Sequence, residues 1–282
     1  MPSSTNPSST NPSPSNLKAL ALWGSVRGRL TTLGFFVRQD LVQRYQADIL
    51  GMAWLVLQPL ITIALFAVVF SALMRARLPG LDPTFGYTIY LIAGILAWTA
   101  FAQSITRLSG WYRDRAGLYQ KLALGLYLPP LSVVASEGVL YAMGMTIFAL
   151  GLLLHGHGLS LHWLLLPVLL ALLAVITFCL GLSLGLLEVF IPDIRRAVPI
   201  ALQLGFWLTP IVYTPDILPN WVRPLIDLNP LTHALGAVQA IVVFQQTPSP
   251  RSLLLLALLA VISLGVLAWL GQRLRKAVRD AL

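Results

Sequence analysis

Glu137 is the only carboxylate set well inside a long apolar run, the stretch from Leu128 to Leu154. If that stretch crosses a bilayer, a charge near its middle costs about 2.5–3.5 kcal/mol on insertion scales, so the side chain must face other helices or water. A proton relay would need a second acid or base at depth, and no other apolar run offers one. The expectation is therefore a structural hydrogen bond, with the protonated carboxyl as one way to make it.

Other polar groups carry less chemistry. His155, His157 and His162 share a glycine-flanked turn. A His-x-His pair can ligate a metal, but no cysteine or carboxylate lies near, so a solvated turn is expected and no metal site. His233 could meet a sugar hydroxyl or a phosphate, or simply pack. Lys18, Lys121 and Lys276 are the only lysines, and none follows the glycine-rich loop that cradles nucleotide phosphates. Any use of ATP must then occur on a separate chain, with force entering through two charged loops. One is Ser109 to Tyr127, carrying Arg113, Asp114, Arg115 and Lys121; the other is Glu188 to Ala197, carrying Asp193, Arg195 and Arg196. Such loops can dock a short helix into a partner's groove, or their charges can merely mark the inner side of a membrane. The rings Tyr87, Tyr90, Trp98, Phe101, Phe206, Trp207 and Tyr213 gather towards the ends of apolar runs. There they could form interfacial belts or present faces on which sugar C–H groups stack.

These residues need a bilayer to position them. The chain has 282 residues, 57% hydrophobic and 10% charged, with a mean hydropathy of +0.79, whereas soluble domains carry roughly 25% charged residues. Runs of membrane length cover Met52 to Leu73, Phe85 to Thr106, Leu128 to Leu154, Trp163 to Leu187 and Leu253 to Leu270, with a shorter sixth from Val198 to Thr214. Pro59, Pro167 and Pro210 interrupt these runs. The loops left over are too short for a separate soluble domain. The fold class expected is all-α, a polytopic membrane protein with six transmembrane helices.

Placing both termini in the cytoplasm sorts the positive charge: only Arg75, Arg77, Arg223 and Arg251 then fall outside. The excess of +9 thus reports orientation, not a nucleic-acid partner. Met1 to Asn16 repeat Ser, Thr, Asn and Pro, and residues 1–26 should form a disordered cytoplasmic tail without signal-peptide layout. Between Arg27 and Asp48, apolar Leu33, Phe36, Val37, Leu41 and Tyr45 recur at helical spacing, which predicts an N-terminal amphipathic interfacial helix. From Thr209 to Gln246, five prolines cut the apolar chain into pieces too short to cross. Leu231 to Phe244 suits a re-entrant helix, opened by Asn229 as cap and Pro230 at the first position. The single Cys179 should pack. Gly181-x-x-x-Gly185 permits close helix approach, within the chain or between copies.

Asp40-Leu41-Val42-Gln43-Arg44-Tyr45, Leu50-Gly51, Trp54 and Gln58-Pro59 resemble the opening signature of the ABC-2 class of polysaccharide-export permeases, which move O-antigen, capsular polymers and teichoic acids. Thr209-Pro210-Ile211-Val212-Tyr213, Leu228-Asn229-Pro230-Leu231-Thr232 and the turn Glu188 to Arg196 extend the resemblance, which covers roughly Phe35 to Arg275. It departs where Gln39 stands before Asp40 and Pro192 before Asp193. The resemblance implies an ABC-2 transmembrane domain over 27–282, with short re-entrant helices between the fifth and sixth spans, in the inner membrane. It implies a homodimer above two copies of an ATP-binding cassette subunit, which would hold ATP and Mg; this chain would bind no cofactor and be no enzyme. Arg38, Asp40, Arg44, Tyr45, Arg113, Asp114, Arg115, Lys121, Asp193 and Arg195 would then couple to the ATPase. Tyr87, Tyr90, Phe206, Trp207, Tyr213 and His233 would face a polysaccharide linked to undecaprenyl pyrophosphate. Rival readings are an ABC-2 permease for a drug or small lipid, and a membrane transferase, which would need a polar catalytic cluster that the sequence does not offer.

Overall fold

The computed structural model describes residues 26–46, 49–68, 86–117, 127–156, 158–215 and 219–281. The expected tail up to residue 25, Asp48, Lys121 and His157 lie outside the described residues. All described elements are helical: α1 Val26–Tyr45, α2 Trp54–Val68, α3 Gly86–Ser109, α4 Trp111–Asp114, α5 Leu128–Leu154, α6 Leu166–Glu188, α7 Ile194–Leu208, α8 Arg223–Asp227, α9 Pro230–Val242 and α10 Pro250–Ala281. A 3-10 turn at Leu161–Leu165 leads into α6.

Proline explains several of the helix starts. It lies in the first two positions of α5, α6, α8 and α9, where its missing N–H would have had no partner anyway. Pro167, expected to interrupt its span, opens α6 instead, and Pro210 falls just past the end of α7. Only Pro59 in α2 and Pro199 in α7 sit inside a described helix of this set. Asn229 caps α9 as its type suggests, its side chain accepting from the Leu231 amide at 3.0 Å.

Gly86–Ser109, Leu128–Leu154, Leu161–Glu188 and Pro250–Leu274 are each long and apolar enough to cross a membrane. The chain is thus a polytopic all-α membrane protein. α3 is its centre, buried almost continuously from Tyr90 to Trp98, and it packs against α5, α6, α7 and α9. Side-chain pairs fix the direction of several helices. Tyr87 and Tyr90 place the start of α3 beside Val212 and Pro210, and Arg107 places its end beside α1 and α5. α7 begins near α4, through Arg195 and Asp114, and ends beside α3's start. α10 begins beside α9, through Ser252 and His233, and reaches Tyr127 before α5. α9 starts and finishes at one end, since Asn229 meets Thr209 and Gln245 meets Gly158. α1 and the last part of α10 therefore share the opposite end of the bundle. α2 and α7 cover 15 residues each, about 22 Å of rise.

The Gly181 and Gly185 pair closes α6 onto α3 inside one chain. A Cβ on Gly181 would lie 2.8 Å from Leu108 Cβ, and one on Gly185 would strike the Leu108 carbonyl oxygen. Gly138, by contrast, faces open space. Gly185→Ala is expected to destabilise the purified protein by about 1–3 kcal/mol through overpacking, while Gly138→Ala leaves the thermal midpoint nearly unmoved. Equal shifts for the two would remove this account of the seam.

Candidate functional site

Four charges from three helices meet where α1 crosses the bundle. Arg44 of α1 pairs with Glu137 of α5; Arg107, in the last turn of α3, donates to the same Glu137 oxygen at 2.9 Å and pairs with Asp40 of α1. Asp40 and Arg44 are one turn apart, so one face of α1 delivers both. Glu137 is 4% exposed and Asp40 6%. Arg115 approaches Asp40 at 3.6 Å and stacks over Trp111 at 3.9 Å. Burial lowers the Arg115 guanidinium from its ordinary value; Asp40 opposes that shift and Arg107 adds to it.

The knot gathers residues that the sequence read separately. Glu137, for which a structural hydrogen bond was expected, meets two guanidinium groups, those of Arg44 and Arg107. Asp40 and Tyr45, expected to couple to a partner, are buried within the chain, and Arg44 turns inward, whereas Arg38 stays exposed. Beside the knot lies a cavity of about 400 Å³ bounded by α1, α2, α3 and α5, with Arg44, Gln58, Gln103 and Glu137 on its wall.

At the same end, α4 is tied to the turn between α6 and α7. Arg195 pairs with Asp114 at 2.8 Å, and Arg113 donates to the Val189 carbonyl at 3.1 Å. Arg113 also lies 3.7 Å from Glu188, a fully buried carboxylate at the end of α6 whose oxygens accept no hydrogen bond. Asp193 stands exposed at the start of α7. Arg113, Asp114, Asp193 and Arg195, which the sequence placed in two loops, thus form one surface. The Arg195–Asp114 pair is exposed and contributes little stability, about 0–1 kcal/mol.

The far end holds a non-helical elbow from Thr209 to Tyr213. In lipid its carbonyls need partners, and side chains supply them. Tyr87 donates to Val212, Tyr90 to Pro210 at 2.9 Å and Gln239 to Pro210 at 3.4 Å. Asn229 donates to the Thr209 hydroxyl at 3.0 Å. Tyr90 is buried, so it braces the elbow and does not present its ring to an opening. His233 has both ring nitrogens engaged: Nε2 donates to the Asp227 carbonyl at 2.9 Å, which leaves Nδ1 to accept from Ser252 at 3.2 Å. It is a strut between α9 and α10. Phe206 is half-buried against Trp98, ring centres 5.7 Å apart. The Tyr213 hydroxyl donates to the Trp207 carbonyl at 2.8 Å, and Trp207 itself is 61% exposed. Gln239 escaped the sequence reading; a polar side chain in an apolar helix facing the Thr209-Pro210 break was the available signal.

Residues 31–243 match the family model described as ABC-2 type transporter. The chain belongs to this family. Three relatives bear the name O-antigen export system permease protein RfbA, two from Klebsiella pneumoniae and the third from Myxococcus xanthus. One of the Klebsiella pneumoniae proteins is 29% identical over 194 residues, 68% of this chain and 73% of its own. The Myxococcus xanthus protein is 25% identical over 256 residues, 90% of this chain and 94% of its own. This ABC-2 permease is accordingly the membrane subunit of an ABC exporter, a class that pairs with an ATP-binding cassette subunit.

Removing Glu137 from the permease would leave Arg44 and Arg107 facing one another. Glu137→Ala is expected to cost about 3–5 kcal/mol, as for other broken buried pairs, whereas Asp193→Ala at the exposed turn stays within about 0.5 kcal/mol. Thermal unfolding of the two purified variants checks this; similar midpoints would deny the knot a structural role.

Proposed function

We propose that this permease moves a polysaccharide of O-antigen type, linked to undecaprenyl pyrophosphate, from the cytoplasm across the inner membrane. The observation that carries the reading is the likeness to the Myxococcus xanthus export permease over nine-tenths of both chains. Two copies of the chain enclose the conduit, and two ATPase subunits below them hold ATP and Mg. Arg38 and the surface of Arg113, Asp114, Asp193 and Arg195 receive the ATPase, Lys121 belonging to the same loop as Arg113. α2, α3, α5, α6, α7 and α10 make six crossings, with both termini cytoplasmic and α8 and α9 entering from the outer face. The directions of α3, α7 and α10 support that count, and so does the common end shared by α1 and the close of α10.

Exposed apolar faces support the pairing of two copies. α2 leaves Val56, Leu60, Ile61 and Leu65 uncovered, and α7 leaves Ile200, Leu204 and Trp207. Phe206, Trp207 and Tyr213 sit at the outer end of α7, where an emerging sugar chain passes the elbow; Trp207 is the ring best placed to meet it.

Deleting the gene is expected to trap lipid-linked polymer inside the cell, scored by extracting carrier lipid and staining surface polymer. Normal surface polymer in the deletion strain would turn the reading towards a drug or small lipid. Trp207→Ala is expected to lower export by roughly 2- to 10-fold, the worth of about 0.5–1.5 kcal/mol of ring contact, while the ATPase subunit still copurifies. Unchanged export would remove Trp207 from the conduit.

A further inference from the structure

The cavity beside the charge knot has a chemistry that neither coupling nor pairing of copies uses. Its volume of about 400 Å³ falls within the range of small-ligand sites, roughly 300–1,000 Å³. Arg44, Gln58, Gln103 and Glu137 supply hydrogen-bond donors and acceptors on one side, and Pro59 and Leu96 supply an apolar wall. Tyr141 also lines it; that side chain is 5% exposed, and its hydroxyl has no hydrogen-bond partner. A buried hydroxyl left this way costs about 1–3 kcal/mol unless something else satisfies it. Gln103 makes no hydrogen bond among the described residues, and Gln58 has only the long contact of 3.5 Å from Tyr45.

Charge decides what fits. Each guanidinium on the wall is already engaged: Arg44 and Arg107 both hold Glu137, and Arg107 shares Asp40 with Arg115, so a phosphate would have to displace a carboxylate, and Glu137 would repel it. A ligand with many hydroxyls, an apolar C–H face and no charge answers every group on the wall.

We propose that this cavity is a carbohydrate subsite holding one neutral sugar unit of the transported chain between α1, α2, α3 and α5. Its hydroxyls bond Arg44, Glu137, Gln58 and Gln103, its ring lies on Pro59 and Leu96, and the Tyr141 hydroxyl gains its missing partner. The assignment rests on the polysaccharide reading above.

The test uses the permease with its ATPase subunit in lipid nanodiscs. The probe is radiolabelled polysaccharide from the strain that carries the gene, freed from its lipid by mild acid. Tyr141→Phe is expected to weaken retention of the probe about tenfold, the worth of one hydrogen bond to a buried group, and Gln103→Leu, at an exposed position, about threefold, with the thermal midpoint unchanged. Thr146→Val, on the exposed side of α5, should bind like the parent. No retention by the parent complex, or equal retention by all variants, overturns the subsite. So does inorganic pyrophosphate, if it displaces the probe and is weakened by the same two substitutions, because the pocket would then be an anion site. Failure of the export reading shows separately, as polymer on the surface of the deletion strain.

Discussion

Lipid offers no hydrogen bonds, so each polar group carried into the bilayer must find its partner within the protein. That constraint shapes both ends of this bundle. At one end a carboxylate in α5 holds two arginines, and the second arginine draws in Asp40. At the other, a stretch of chain that is not helical keeps its carbonyls satisfied through Tyr87, Tyr90 and Gln239. Neither arrangement is strong in isolation, because buried ion pairs repay their desolvation only when geometry is good. Their effect is to fix positions: α1 cannot leave α3 and α5 without exposing charge, and the elbow cannot slide without orphaning backbone.

Much of the fold was legible because its signals are local. The limits of α5 follow from Pro129 and Pro130 at its start and the glycine-flanked histidines at its close. Asn229 followed by Pro230 announced α9, and the structure shows the cap bond that this pair favours. Pro167 and Pro210 misled in one respect: a proline in an apolar run reads as a break whether it opens a helix or ends one, and only the neighbouring backbone distinguishes them.

The site was harder, because its partners lie far apart in the chain. Glu137 announced that it needed company, yet Arg44 is 93 residues away and Arg107 30, and both looked like markers of the inner face. Aromatic rings present the same difficulty. Tyr90 and Trp207 are alike in type and in nearness to a helix end, but one spends its hydroxyl on backbone and the other stands free of the core. Facing is a tertiary property, and periodicity within a single helix cannot assign it when all its sides are apolar.

α7 is fastened at both ends and loosely held between. Arg195 clamps its foot to α4, its head joins the elbow that Tyr87 and Tyr90 grip, and only Val198 along its length is fully buried. A rod so mounted would carry a displacement of its foot to the ring-bearing head, about 22 Å away, and Pro199, near the foot, is where such a shaft would bend most easily.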